Sequence, residues 1–142
     1  MKEILGILLL CGCLVGCARG GSGSSSLSGN WQFTVNSTSP VVGKFTLSGT
    51  LQEGSNNGVT GSLTLPANQT LPGPVADCTG PLTYLAVGTI SGSTVALNVG
   101  GFISFTGTAN SDLTSMSGSY TVSSQAVCDA GDSGTWSAAK TQ

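Results

Sequence analysis

From residue 29 onward the sequence predicts an all-β domain: an eight-stranded antiparallel up-and-down β-barrel, with a β-sandwich as the alternative. Three observations carry this expectation. A short motif recurs seven times: a small or branched residue, Gly, a small polar residue and usually an apolar one, as in Ser48-Gly49-Thr50-Leu51 and Ser133-Gly134-Thr135-Trp136. Around it, apolar and polar residues alternate with the period of two that sets one strand face on a core. No segment after the leader repeats apolar residues at helical spacing with capping signals, and the polar surface is largely Thr, Ser, Asn and Gly, which suits strands and turns.

The chain opens with Lys2, Glu3 and an apolar core from Ile4 to Leu10, the layout of a secretory signal and too short for a permanent membrane span. Leu14-Val15-Gly16-Cys17 follows at the distance of a cleavage site. These four residues resemble the lipobox of bacterial lipoproteins, an apolar residue, a small or branched one and Gly or Ala before Cys. The resemblance implies a signal peptide over residues 1–16, diacylglycerol on the Cys17 sulfur and usually acylation of the new amino end. Membrane contact is then through a lipid anchor. It further implies a cell-envelope location, the outer membrane if the source has two membranes, because Ala18 stands where an Asp commonly retains lipoproteins in the inner membrane. Residues 17–28 form the lipidated Gly/Ser tether, whose eleven residues after Cys17 would span about 18 Å as a coil.

Eight strands follow. In the first, residues 29–36, Trp31, Phe33 and Val35 share one face; in the second, residues 43–52, Phe45, Leu47, Gly49 and Leu51 do. The third, residues 58–65, groups Val59, Gly61, Leu63 and Leu65. In the fourth, residues 82–91, the alternation is blurred by the run Tyr84-Leu85-Ala86-Val87. The fifth, residues 94–99, groups Val95, Leu97 and Val99, and the sixth, residues 102–109, groups Ile103, Phe105, Gly107 and Ala109. Met116, Gly118, Tyr120 and Val122 line the seventh, residues 115–122. Gly134, Trp136 and Ala138 line the eighth, residues 133–139.

Turn-forming clusters such as Ser91-Gly92-Ser93, Gly100-Gly101 and Asn110-Ser111-Asp112 separate the strands. The glycines of the motif recur unevenly, 11 to 27 residues apart, which fits a meander with loops of different length rather than a stacked solenoid. They fall on the apolar face, where a missing side chain lets a strand bend and a bulky neighbour fill the space. Closure into a barrel removes sheet edges that otherwise invite aggregation.

The chain has five cysteines, Cys11, Cys13, Cys17, Cys78 and Cys128. Loss of the leader and lipidation of Cys17 would leave Cys78 and Cys128, for which a disulfide is the expectation in an oxidising compartment and two separate buried thiols the alternative. In a meander the third and seventh connections lie at the same end, which brings the two together. Closing a loop of this length contributes about 4 kcal/mol in the chain-entropy picture.

Gly29-Asn30-Trp31 at the start of the first strand resembles the Gly-x-Trp opening of up-and-down barrels of the lipocalin and avidin kind. The Thr-Asp-Tyr motif and late Arg of lipocalins have no counterpart here, and only Trp31 and Trp136 stand where avidins carry several Trp. Biotin binding is not implied, and the two Trp are expected to plug the barrel floor where first and last strands pair.

Charge is sparse: Arg19, Lys44 and Lys140 against Glu53, Asp77, Asp112, Asp129 and Asp132 after the leader, with no basic patch for nucleic acid. The chain contains no His, the commonest general base and metal ligand, and no nucleophile elbow, phosphate-binding loop or Cys-x-x-Cys. No enzymatic activity, cofactor or metal is expected. A disulfide between Cys78 and Cys128 would gather Asp77, Asp129 and Asp132 at the long-loop end as a candidate ligand site; solvated turn aspartates are the commoner meaning of such a cluster, and calcium the sharper one. Two functional readings follow: an envelope protein with a structural or surface role and a filled barrel, and a module binding a small apolar ligand, glycan or peptide at that end.

Overall fold

The computed structural model describes residues 25–40, 42–71, 78–126 and 128–142. Strands form where the alternation runs: β1 (Gly29–Ser39), β2 (Gly43–Glu53), β3 (Gly58–Leu65), β4 (Thr70–Leu71), β5 (Cys78–Thr79), β6 (Leu82–Ser91), β7 (Thr94–Val99), β8 (Ile103–Ala109), β9 (Ser115–Val122) and β10 (Ser133–Thr141). Eight of them close an antiparallel up-and-down barrel in the order β1-β2-β3-β6-β7-β8-β9-β10, with β10 hydrogen-bonded back to β1. At that seam Trp31 lies opposite Lys140 and Val35 opposite Trp136. The barrel is the fold, and the sandwich is set aside by this closure.

Two connections differ from the sequence expectation. β1 runs on to Ser39, because Ser37 continues the inward face of Trp31, Phe33 and Val35 and is itself buried, so the first connection shrinks to residues 40–42. The connection between β3 and β6 contains a two-stranded ribbon, β4 with β5, whose strands are too short for an alternation to register. That connection also covers the start of β2. β3 pairs with β2 only from Ser48 onward, and the Gln69 side chain takes up the exposed edge, accepting from Thr46 N at 2.5 Å and donating to Thr46 Oγ1 at 2.8 Å. Asn56 and Asn57 adopt positive φ in a single 3-10 turn, Ser55–Asn57, between β2 and β3.

The repeated motif is explained by one pair of positions. Gly107 and Gly118 face each other across β8 and β9, and a Cβ on Gly118 would lie 1.9 Å from Thr106 O. The strands are bent so closely there that no side chain fits, as at the motif's glycines in β2, β3, β6 and β10. The room left inside is filled by Trp136, which lies opposite Gly118 and donates its indole N–H to Ser119 O at 2.9 Å and Thr106 O at 3.2 Å. Phe33 stacks on this indole with centroids 5.6 Å apart, Phe105 meets it edge-on at 5.5 Å, and Tyr120 continues the column at 5.8 Å from Phe105.

The floor of the barrel, at the end with the short turns, is closed by residues ahead of β1. Leu27 is fully buried, and its carbonyl accepts the Trp31 indole N–H at 2.7 Å. Glu53 Oε2 accepts from Leu27 N at 2.9 Å and from Ser26 Oγ at 3.2 Å, while Lys140 Nζ donates to Ser26 O at 2.6 Å and lies 5.5 Å from the Trp31 ring centre. Contacts with the barrel therefore reach back to Ser26, ahead of Gly29, because one apolar residue, Leu27, is enough to seat the last residues of the Gly/Ser stretch.

Candidate functional site

The end opposite the floor gathers the connections between β1 and β2, β3 and β6, β7 and β8, and β9 and β10. The Cys78–Cys128 disulfide joins two of them, with Cα atoms 5.6 Å apart. One turn further along the same connection, Asp129 and Asp132 are both 1% exposed, so they are neither solvated turn residues nor an open cation cradle. Among the described residues no group of three His, Cys, Asp or Glu side chains stands together to hold a metal ion. Asp77, the third carboxylate of the expected cluster, and Cys17 lie outside the described residues.

Asp132 is held by hydroxyls from two strands. Ser37 Oγ on β1 donates to its Oδ1, and the Tyr120 hydroxyl on β9 donates to its Oδ2. Burial and this bond to Asp132 push the Tyr120 hydroxyl well above its ordinary pKa, so it remains a donor. Asp129 is different: it sits in the left-handed region at φ 58°, and neither of its carboxyl oxygens accepts a hydrogen bond. Burial first, then the charge of Asp132, push the Asp129 carboxyl up to about 8. As a carboxylate it faces no donor; as an acid it carries one of its own.

A second orphan lies at this end. Tyr84, near the start of β6, packs edge-on against Phe102 at 5.3 Å, and its buried hydroxyl has no partner. Burial raises its pKa. The aromatic residues expected at the floor are divided: Trp31 lies there, while Trp136 stands midway along the barrel over Gly118. The sequence reading did not single out Ser37, Tyr84, Leu27 or Glu53. Ser37 and Asp132 were both within reach, since each extends by two residues an inward face already recognised, that of Phe33 and Val35 or that of Gly134 and Trp136.

Two concavities mark the outer wall. One of about 520 Å³ is lined by Gln32, Thr34, Thr108, Ser115, Ser117 and Ser137, and the other, of about 310 Å³, lies over Val87, Gly88, Ala96 and Asn98. Both are shallow and open to solvent. Compared with known proteins, the chain matches no protein-family model, no curated protein and no solved structure, and its functional reading rests on the residues of its own barrel.

Proposed function

We propose that this chain is a lipid-anchored cell-envelope protein with a structural or surface role and no catalysis, held through Cys17 and placed in the outer membrane where the source has two. The observation that carries the reading is the column of rings from Trp136 through Phe105 to Tyr120, which occupies the barrel where a ligand of the lipocalin or avidin kind would sit. Support also comes from the outer wall, whose strands present mainly Ser, Thr and Asn, with Leu85 and Val87 the large apolar side chains exposed on β6. A barrel crossing a bilayer carries an apolar band there instead, so a tethered domain standing in water fits this wall better.

Replacing Cys17 by Ser tests the anchor: the variant should leave the membrane fraction and take up no labelled fatty acid. Retention of C17S after a salt wash counts against the lipobox. A second reading, a binding module, is favoured by the unpartnered Tyr84 hydroxyl and Asp129 carboxyl at the long-loop end. Native mass spectrometry of the domain, after exposure to an envelope extract, separates the two. A mass equal to the bare chain supports the structural role, and a stoichiometric adduct supports the binding module.

A further inference from the structure

We propose that Asp129, buried in one turn with Asp132, keeps a proton that latches residues 128–132 closed over the long-loop end of the barrel, and that losing this proton loosens the turn. The inference goes beyond the structural role and does not depend on it. Asp132 ties the turn to two strands: it accepts from Ser37 on β1 and Tyr120 on β9, and its own backbone carbonyl accepts from Val122 N, also on β9, at 2.8 Å. Both of its carboxyl oxygens are thereby engaged as acceptors. The backbone N–H of Asp132 donates to Asp129 O at 3.1 Å, which folds the two carboxyls into one turn.

Asp129 shares that turn with nothing to receive it. A buried carboxylate with no donor, beside a second carboxylate, is strongly disfavoured and is neutralised by a proton. Among the described residues no cationic side chain stands beside it to do so. From β1 comes the Ser37 hydroxyl, from β9 the Tyr120 phenol kept protonated by burial, and from β5 the Cys78–Cys128 disulfide, which does not titrate. β2 contributes the Phe45 ring, edge-on to Tyr120 at 6.3 Å, while Lys44 lies on the exposed outer face; β8 contributes Phe105. A proton on Asp129 removes the repulsion and supplies a donor of its own.

Opening of the loop hydrates Asp129 and lets it titrate as an ordinary carboxyl, so opening releases a proton. Raised carboxyl affinity for the proton belongs to the closed state alone. The latch is therefore strongest in acid and weakens as pH rises, by about tenfold in the opening constant per pH unit, levelling off once the closed state has itself lost the proton. What opens is the rim above Tyr120 and Phe45, not the barrel wall, because the strands keep their ladder.

Hydrogen exchange on the full chain, with rates normalised to those of unstructured peptides, reads this directly at the amides of Val122, Ser123 and Asp132. Their protection should fall about tenfold per unit between about pH 5 and about pH 8, while amides of β7 and β8 hold theirs. In D129N, which keeps the shape of the protonated acid, the fall should shrink to less than about twofold over the same range. An equal fall in wild type and D129N overturns the proposal. If D129N does not fold, the infrared carbonyl band of protonated, isotope-labelled aspartate in the wild-type protein decides: it should persist at neutral pH and vanish on crossing about pH 8. Its absence at neutral pH overturns the latch. Restoration of protection by calcium alone at alkaline pH would also overturn it, by making the pair a cation site.

Discussion

Trp136 is accommodated because Gly107 and Gly118 carry no side chain, and two backbone carbonyls then become acceptors for its indole N–H. Gly118→Ala should cost about 2–3 kcal/mol, since the new methyl meets a carbonyl oxygen rather than a movable side chain. Urea titration measures it, and a loss under about 0.5 kcal/mol would mean the strands spread freely at this pair. Tyr120→Phe keeps the ring in the column but leaves Asp132 Oδ2 buried without its donor. We expect a loss of about 1–3 kcal/mol. A third residue-scale prediction concerns pH. The Asp129 carboxyl titrates near about 3.9 in an unfolded chain and is pushed up to about 8 in the folded one. Between these values the folded state holds the extra proton, so stability is greatest below about pH 4 and is lost as pH rises through about 8. Calorimetry should give a higher Tm at about pH 5 than at about pH 8 in the wild type and a smaller difference in D129N. The opposite slope in the wild type would mean that Asp129 is not the group being titrated.

At the scale of elements, the short segment ahead of β1 behaves as part of the barrel. Leu27→Ala removes a fully buried side chain at the floor and should cost about 2–4 kcal/mol by thermal or urea unfolding, more than expected for any position in a solvated linker. An effect near zero would show that residues 26–28 only rest on the surface. This segment also shows where sequence reasoning stops. The eight barrel strands were legible because each spans six or more residues with one apolar face, enough for period two to stand out. Their closure was legible from the paired cysteines and the even run of hairpins. Leu27 was not, because a single apolar residue in a run of Gly and Ser has no period. The ribbon of β4 and β5 was missed for the same reason, with two residues in each strand. The carboxyl pair was placed at the right end, but its burial depends on Ser37 and Tyr120, which come from strands distant in sequence, and composition favours solvated turns for such aspartates.

For the whole molecule, the two ends of the barrel have different assignments. Ser25 leaves the described domain at the short-turn end, where Glu53 and Lys140 fix the direction of the chain through Ser26 and Leu27. The other end carries the disulfide, the Asp129–Asp132 pair and the Tyr84–Phe102 edge contact. If the lipid is at Cys17, the pull of the membrane reaches the barrel at its floor, and the disulfide-bridged end stands away from the bilayer. The clamp gives this orientation a structural basis that tether length alone lacks, since a freely jointed attachment at Gly29 would let the barrel lie on its side. A short charged epitope placed in the exposed turn at Ser124-Gln125 should therefore be more accessible to antibody on intact membranes than the same epitope at Asn56-Asn57 in the floor turn. Both insertions avoid the hydrogen bonds of Gln69, whose side chain seals the β2 edge. Combining the grafts with L27A separates clamp from tether: freeing the floor should narrow the difference between the two ends without releasing the protein from the membrane. Better access at Asn56-Asn57 in the unaltered barrel would place the floor outward and reject the orientation.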